Sequence, residues 1–379
     1  MISLKTILCF IAALILAASS FSSANAAVEA DTQIKYVLME ARTRTVLQQQ
    51  RPGDKTNAGY LTKLMALLLI AQDMEEGRYS ADTVVTASSS VEGTKGSVIW
   101  LRPGDKITVG ELIEAAAVGN ANDAVTVLAE NSEETVGEFT KRMTAQAFTL
   151  GLRDTSFYSP YGYEEDGNVT TAYDTAVICA ELSGHEIILP YFGIWHDHIR
   201  EGTVELVNEN TLARTFDQHI GFKAAHSEQS GYCAAEAGRS ESGDVFIAVV
   251  SGCKDSESSL RMAKDLVTEG FRGYRITSSL FPDEMLRPVS VRGGTEQSVM
   301  ITLASQNDIA VPKGMKKLTT VTVLPEYLDA PLEKGQKIGT AAFYNGDTLL
   351  YESSIIVKND VDKLSFRYVF KEMMLNILN

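Results

Sequence analysis

The sequence predicts an α+β protein in which an antiparallel sheet with a helical cluster is followed by a small all-β sandwich and a terminal amphipathic helix. Three observations carry this reading. Strand-like runs lie towards both ends of residues 27–280, with helical periods grouped between them. Helical period then vanishes for roughly seventy residues after Phe281-Pro282-Asp283. It returns, strongly amphipathic, over residues 361–379. The expected divisions are 1–26, 27–280, 281–358 and 359–379.

The chain of 379 residues opens with Lys5, an apolar run over 7–18 and the small-residue string Ala24-Asn25-Ala26. This is the pattern of an export signal cleaved before Ala27, so an extracytoplasmic location is expected. The formal charge is −15, and losing Lys5 makes it −16 by the same count. Such an acidic protein is not expected to bind nucleic acid. No later segment reaches the ~18 consecutive apolar residues of a membrane span.

Residues 34–39 and 45–49 flank Glu40-Ala41-Arg42-Thr43-Arg44 and read as an opening β-hairpin. A helix follows in which Leu61, Leu64, Met65, Leu67, Leu68, Leu69 and Ile70 leave no polar face, the mark of burial in a large core. Lys63 is the only charge between Thr56 and Gln72. Two readings are open for it: a lysine stripped of water, whose lowered pKa makes it a general base, or one that snorkels to the rim.

Thr108 and Glu111 form a capping box for the next helix, which runs to about Gly119. Val136, Phe139, Met143, Ala147 and Leu150 mark one face of another, closed by Gly151. From residue 221 the pattern changes to a meander over 221–225, 232–237 and 245–251, and a helix covers 258–270. The sandwich strands are expected at 286–291, 298–303, 319–324, 336–343 and 348–357. In the terminal helix Ser365, Glu372 and Asn376 make a narrow polar stripe among apolar residues. Such a helix suits the outer membrane leaflet, with Lys363, Arg367 and Lys371 near the headgroups.

Three short segments resemble, in order and spacing, the motifs of the penicillin-binding D-alanyl-D-alanine carboxypeptidases. That family has Ser-x-x-Lys at a helix start, Ser-x-Asn on a loop and Lys-Thr-Gly on a strand lining the cleft. Here they stand as Tyr60-Leu61-Thr62-Lys63, Asn120-Ala121-Asn122 and Lys223-Ala224-Ala225. Supporting strings are Gly96-Ser97 ahead of Leu101-Arg102-Pro103-Gly104-Asp105, Asn208-Glu209-Asn210 with Leu212, and Ser230-Gly231-Tyr232-Cys233. The resemblance implies a transpeptidase/β-lactamase-like domain, a carboxy-terminal β-sandwich and a terminal anchor, in that order.

It also implies roles. In the intact family the first serine attacks the terminal D-Ala-D-Ala carbonyl and forms an acyl-enzyme, with the lysine one turn later as its base. By position, Lys63 would be the base, Asn122 the amide binder, Lys223 the partner of the substrate carboxylate, and His226 a donor of an oxyanion N–H. Tyr60 occupies the nucleophile position, Asn120 cannot shuttle a proton, and Ala225 adds a methyl group where the substrate backbone approaches. The expectation is therefore a catalytically impaired homologue, retaining at most binding of a peptidoglycan stem peptide or a scaffold role. The alternative is an active carboxypeptidase with a rerouted mechanism.

No cofactor or metal is expected. His196-Asp197-His198 puts two histidines on one strand face, but the sequence offers no evident third ligand. Once the signal takes Cys9, three cysteines remain, Cys179, Cys233 and Cys253, so at most one disulfide can form. Glu164-Glu165-Asp166 reads as a solvated loop.

Overall fold

The structure, a computed structural model, describes residues 33–163, 167–277, 287–304, 308–315, 319–346 and 348–378. The expected export signal and the Glu164-Glu165-Asp166 loop lie outside these residues. The chain divides into two compact units, residues 1–271 and 272–379.

The first unit is built on a five-stranded antiparallel sheet. Its opening hairpin is β1 (Lys35–Glu40) and β2 (Val46–Gln50). Glu40 is fully buried, and its carboxylate accepts hydrogen bonds from the backbone N–H groups of Arg42 and Thr43 and from the Thr43 hydroxyl. A buried charge is tolerable there because it closes its own turn.

The apolar helix follows as α1 (Thr62–Glu75), entered through a 3₁₀ turn at Gly59–Leu61. Every residue from Thr62 to Ala71 is buried, as a helix without a polar face requires. Next come α2 (Val109–Ala117), α3 (Asn122–Ser132), α4 (Val136–Thr149) and α5 (Ala172–Leu182). Thr108, Thr135 and Thr171 each accept an N–H from the third residue of their helix, and the capping box of Thr108 and Glu111 is complete.

A short hairpin, β3 (His196–Ile199) and β4 (Val204–Val207), leads to the meander. The meander consists of β5 (His219–Ser227), β6 (Gly231–Arg239) and β7 (Val245–Cys253), and α6 (Ser256–Gly273) ends the unit. The sheet order is β2-β1-β7-β6-β5, so the two ends of the unit join at β1 and β7 and leave β5 on an edge. Helix α5 packs on this sheet and on α1. Cys179, Cys233 and Cys253 are free and buried.

The second unit begins earlier than composition suggests, because residues 274–277 form β8 (Tyr274–Thr277) and pair with a strand at Ile309–Pro312. The register of that pairing, invisible in the composition, moves the boundary. Two sheets share one core: Val289, Val291 and Val299 come from one, and Ile301, Leu303, Ala341, Phe343, Ile355 and Val357 from the other. The short strands at Ile309–Pro312 and Tyr327–Asp329 carry too few residues to show an alternation and escape sequence reading. The chain closes with α7 (Phe366–Leu378).

One buried charge anchors the helical cluster. Asp73, fully buried near the end of α1, accepts two hydrogen bonds from Arg142 of α4, at 2.6 and 3.0 Å, and pairs with Arg78 at 3.2 Å. Removing one partner of a buried pair strands the other. Arg142→Ala is expected to lower unfolding stability by about 3 kcal/mol, read from urea midpoints at constant slope. A loss below about 0.5 kcal/mol, the range of an ordinary surface change, would show that Arg78 with the hydroxyls of Tyr79 and Ser132 suffices.

Candidate active site

The 3₁₀ turn before α1 places Tyr60 in a cleft of about 430 Å³ lined by Gly59, Tyr60, Tyr163, His226, Ser227 and Gln229, among others. Its ring points into this cleft. A Cβ added at Gly96, whose φ is +83°, would lie 3.0 Å from the Tyr60 hydroxyl and 2.7 Å from Asn122 Nδ2, so the phenol reaches across to the 95–97 loop. There it accepts a hydrogen bond from the Ser97 backbone N–H. Burial, then the negative charge of Glu209, push the Tyr60 hydroxyl above its ordinary pKa of 10, and the Ser97 bond only partly opposes them.

Lys63 does not snorkel. It is fully buried, its Nζ donates to the Tyr161 carbonyl at 2.8 Å, and it lies 4.2 Å from the centroid of the Tyr60 ring. That is a cation–π contact with the face of the residue in the nucleophile position. Thr62, on another face, accepts a bond from Asn168 Nδ2 at 3.0 Å. Asn168 also binds the N–H groups of Tyr158 and Ser159, which fastens the 158–163 loop to the helix start. Gly162 is needed at that junction: with φ at +76°, any Cβ would stand 1.9 Å from the Gly59 carbonyl oxygen.

The second motif lies at the junction of α2 and α3. Asn120 is left-handed, φ 55°, which turns the chain so that Asn122 can begin α3. Asn122 donates through Nδ2 to Lys95 O and through its backbone to Ser97 O, both at 2.7 Å. Asp123 holds the same loop by accepting from Ile99 and Leu101. Asn120 Nδ2 donates to Glu209 at 3.0 Å. The Oδ1 atoms of Asn120 and Asn122 are buried and have no hydrogen-bond partner among the described residues.

Lys223, on the edge strand β5, is 2% exposed. Its ammonium donates to the carbonyls of Ala116 and Ala117 at 2.8 and 2.7 Å, capping the C-terminal end of α2. Burial pulls its pKa down to about 7, opposed by the Glu209 carboxylate. Ala225, two residues on, is buried, whereas His226 is exposed on the cleft lining and packs on Tyr232 with ring centroids 4.2 Å apart.

Of the seven residues named from the sequence, Tyr60 and His226 line this cleft, Lys63 lies against the Tyr60 ring, and Lys223 is held on the end of α2. The reading by position missed Glu209, which bonds Asn120 and acts electrostatically on both Tyr60 and Lys223. A lone acid between two asparagines was the available signal. The structure also adds what the sequence could not offer His196 and His198: Glu205, directly across the hairpin from His198.

The D-alanyl-D-alanine carboxypeptidase family matches residues 20–254, and the penicillin-binding protein 5 C-terminal domain matches residues 277–363. The chain is 29% identical over 344 residues to the D-alanyl-D-alanine carboxypeptidase DacF of Bacillus subtilis, covering 89% of this chain and 88% of that protein. It is 25% identical over 341 residues to DacC of Escherichia coli, covering 87% and 84%. Penicillin-binding protein 5 of Haemophilus influenzae shares the fold, with a TM-score of 0.77 at 24% identity over 87% of this chain and 97% of that one. The chain belongs to the peptidase S11 family of D-alanyl-D-alanine carboxypeptidases, with the family's catalytic domain and β-rich C-terminal domain.

Proposed function

We propose that this protein is a cell-wall carboxypeptidase homologue that no longer hydrolyses, and that it recognises a peptidoglycan stem peptide or serves as a scaffold. The observation that carries this reading is the Tyr60 ring, which stands in the cleft with its hydroxyl on Ser97 and its face against Lys63. The space for a scissile carbonyl is filled by the residue in the nucleophile position. Losing such a nucleophile costs on the order of 10⁶ in turnover.

A phenolate mechanism has little to support it. Burial and the charge of Glu209 raise the Tyr60 pKa from its ordinary value, which disfavours the phenolate. The cations that would serve chemistry are engaged elsewhere: Lys63 with a π face and a carbonyl, Lys223 with the end of α2. What favours retained recognition is the pair of buried, unpartnered Oδ1 atoms of Asn120 and Asn122, which are able to accept N–H groups of an extended peptide.

The same proposal places the protein outside the cytoplasmic membrane, exported by residues 1–26 and held by α7. Phe366, Phe370 and Met373 on that helix are 85%, 55% and 58% exposed. Burying each is worth about 1.5–3 kcal/mol. No helix among the described residues is long and apolar enough to cross a membrane, so α7 would lie in the interface.

Three outcomes are expected. A fluorescent penicillin does not acylate the wild type, whereas Tyr60→Ser combined with Asn120→Ser and Ala225→Gly gains covalent labelling; stable wild-type labelling that disappears in Tyr60→Phe sinks the proposal. Vesicles containing anionic lipid retain the mature chain and release a truncation ending at residue 364, and equal retention of the two would refute the anchor. The third concerns pH. Lys223 has a folded pKa near 7, below the ordinary 10.5, so folding disfavours its protonated form. The stability of wild type relative to Lys223→Met should therefore rise from about pH 7 to about pH 10.5. A flat difference in urea midpoints across that window would contradict the burial-driven shift.

A further inference from the structure

The β3–β4 hairpin carries a grouping that the cleft does not use. Antiparallel register sets His198 opposite Glu205 and His196 opposite Val207, so His196, His198 and Glu205 share one face. Their ligating atoms all lie within 4.8 Å of one another, and His196 Nε2 is 2.9 Å from Glu205 Oε1. The two imidazole rings stand edge to face, 5.1 Å apart. All three side chains are exposed, so a cation reaches them from solvent without any rearrangement of the core.

The hairpin itself is held in place. At its turn, the Arg200 backbone N–H donates to Glu111 and the Arg200 guanidinium to Asp105. At its base, Asn208 binds the carbonyls of Trp195 and Ile194. Between them Leu206 is buried, so close to Gly119 that a Cβ added there would lie 2.7 Å from the leucine side chain. Asp197 alternates to the opposite face from the histidines.

We propose that His196, His198 and Glu205 form a binding site for a divalent transition cation of the zinc type, with its remaining coordination position open. Two imidazoles and one carboxylate are the donor set that Zn²⁺ favours over Mg²⁺ or Ca²⁺, which take mainly oxygen. A tetrahedral ion with bonds of about 2.1 Å spaces its donors roughly 3.4 Å apart. Side-chain rotation on a fixed, exposed hairpin brings the donors, with His196 and Glu205 now 2.9 Å apart and all within 4.8 Å, to that spacing. The ion replaces the proton shared in the His196–Glu205 bond, and any imidazolium proton leaves to solvent. Among the described residues three protein donors converge, so the ion keeps water or accepts a donor from another molecule at the open position.

Calorimetric titration of Zn²⁺ into the chelator-stripped full chain tests this. One equivalent is expected to bind, with affinity reduced at least ~10-fold in His196→Ala, His198→Ala and Glu205→Gln, since loss of a direct ligand costs no less than loss of an outer-shell partner. His185→Ala, which removes the separate His185–Glu75 pair, should leave the affinity unchanged. Metal-free melting curves that coincide with wild type show that the exposed substitutions keep the fold. Absence of binding, or affinities that fall less than ~10-fold in the three hairpin variants, overturns the site.

Discussion

The catalytic-type domain rests on one pairing, that of β1 with β7. Lys35 to Glu40 lie in unbroken register with Ser251 to Phe246, so the first strand of the unit is zipped against the last strand of the meander. The helices between them must then lie over a sheet in which the first and last strands of the unit are neighbours. This closure brings the start of α1, the end of α2 and the edge strand β5 around one cleft, although they are far apart in the chain. It also explains the character of α1, which is enclosed on all sides and has no solvent face to pattern.

A domain closed in this way buries charge, and each buried charge has found a partner that suits its geometry. Glu40 closes its own turn, Asp73 takes a two-pronged bond from Arg142, and Glu236 lies between His219 and Asn210. The two motif lysines follow the same rule. Lys63 faces an aromatic ring and a carbonyl, and Lys223 binds the negative end of a helix. Their positions are those of a site for acyl transfer, but the contacts they make are those of structural cations.

Much of this was legible along the chain. The opening hairpin, the helix capped at Thr108, the meander and the amphipathic terminus show in local period and punctuation, because capping and alternation are properties of neighbouring residues, whereas the helices Asn122–Ser132 and Ala172–Leu182 were not read. The short strands Ile309–Pro312 and Tyr327–Asp329 were not legible, since three or four residues carry no period. Glu209 and Glu205 were missed for a different reason. Each acquires its meaning from a residue it meets only after folding, Asn120 in one case and His196 with His198 in the other.

The sequence by itself determined the family, the order of the domains and the presence of Tyr60 three residues ahead of Lys63, because motif order and spacing are facts of covalent order. Only the tertiary structure decided where the Tyr60 ring goes. A tyrosine at a helix start has rotamers towards the core and towards the cleft. Ser97 and Lys63 select the second, one from a distant loop and one from the helix that Tyr60 precedes. Side-chain direction is set by packing and hydrogen bonds across the fold, and no local pattern encodes it.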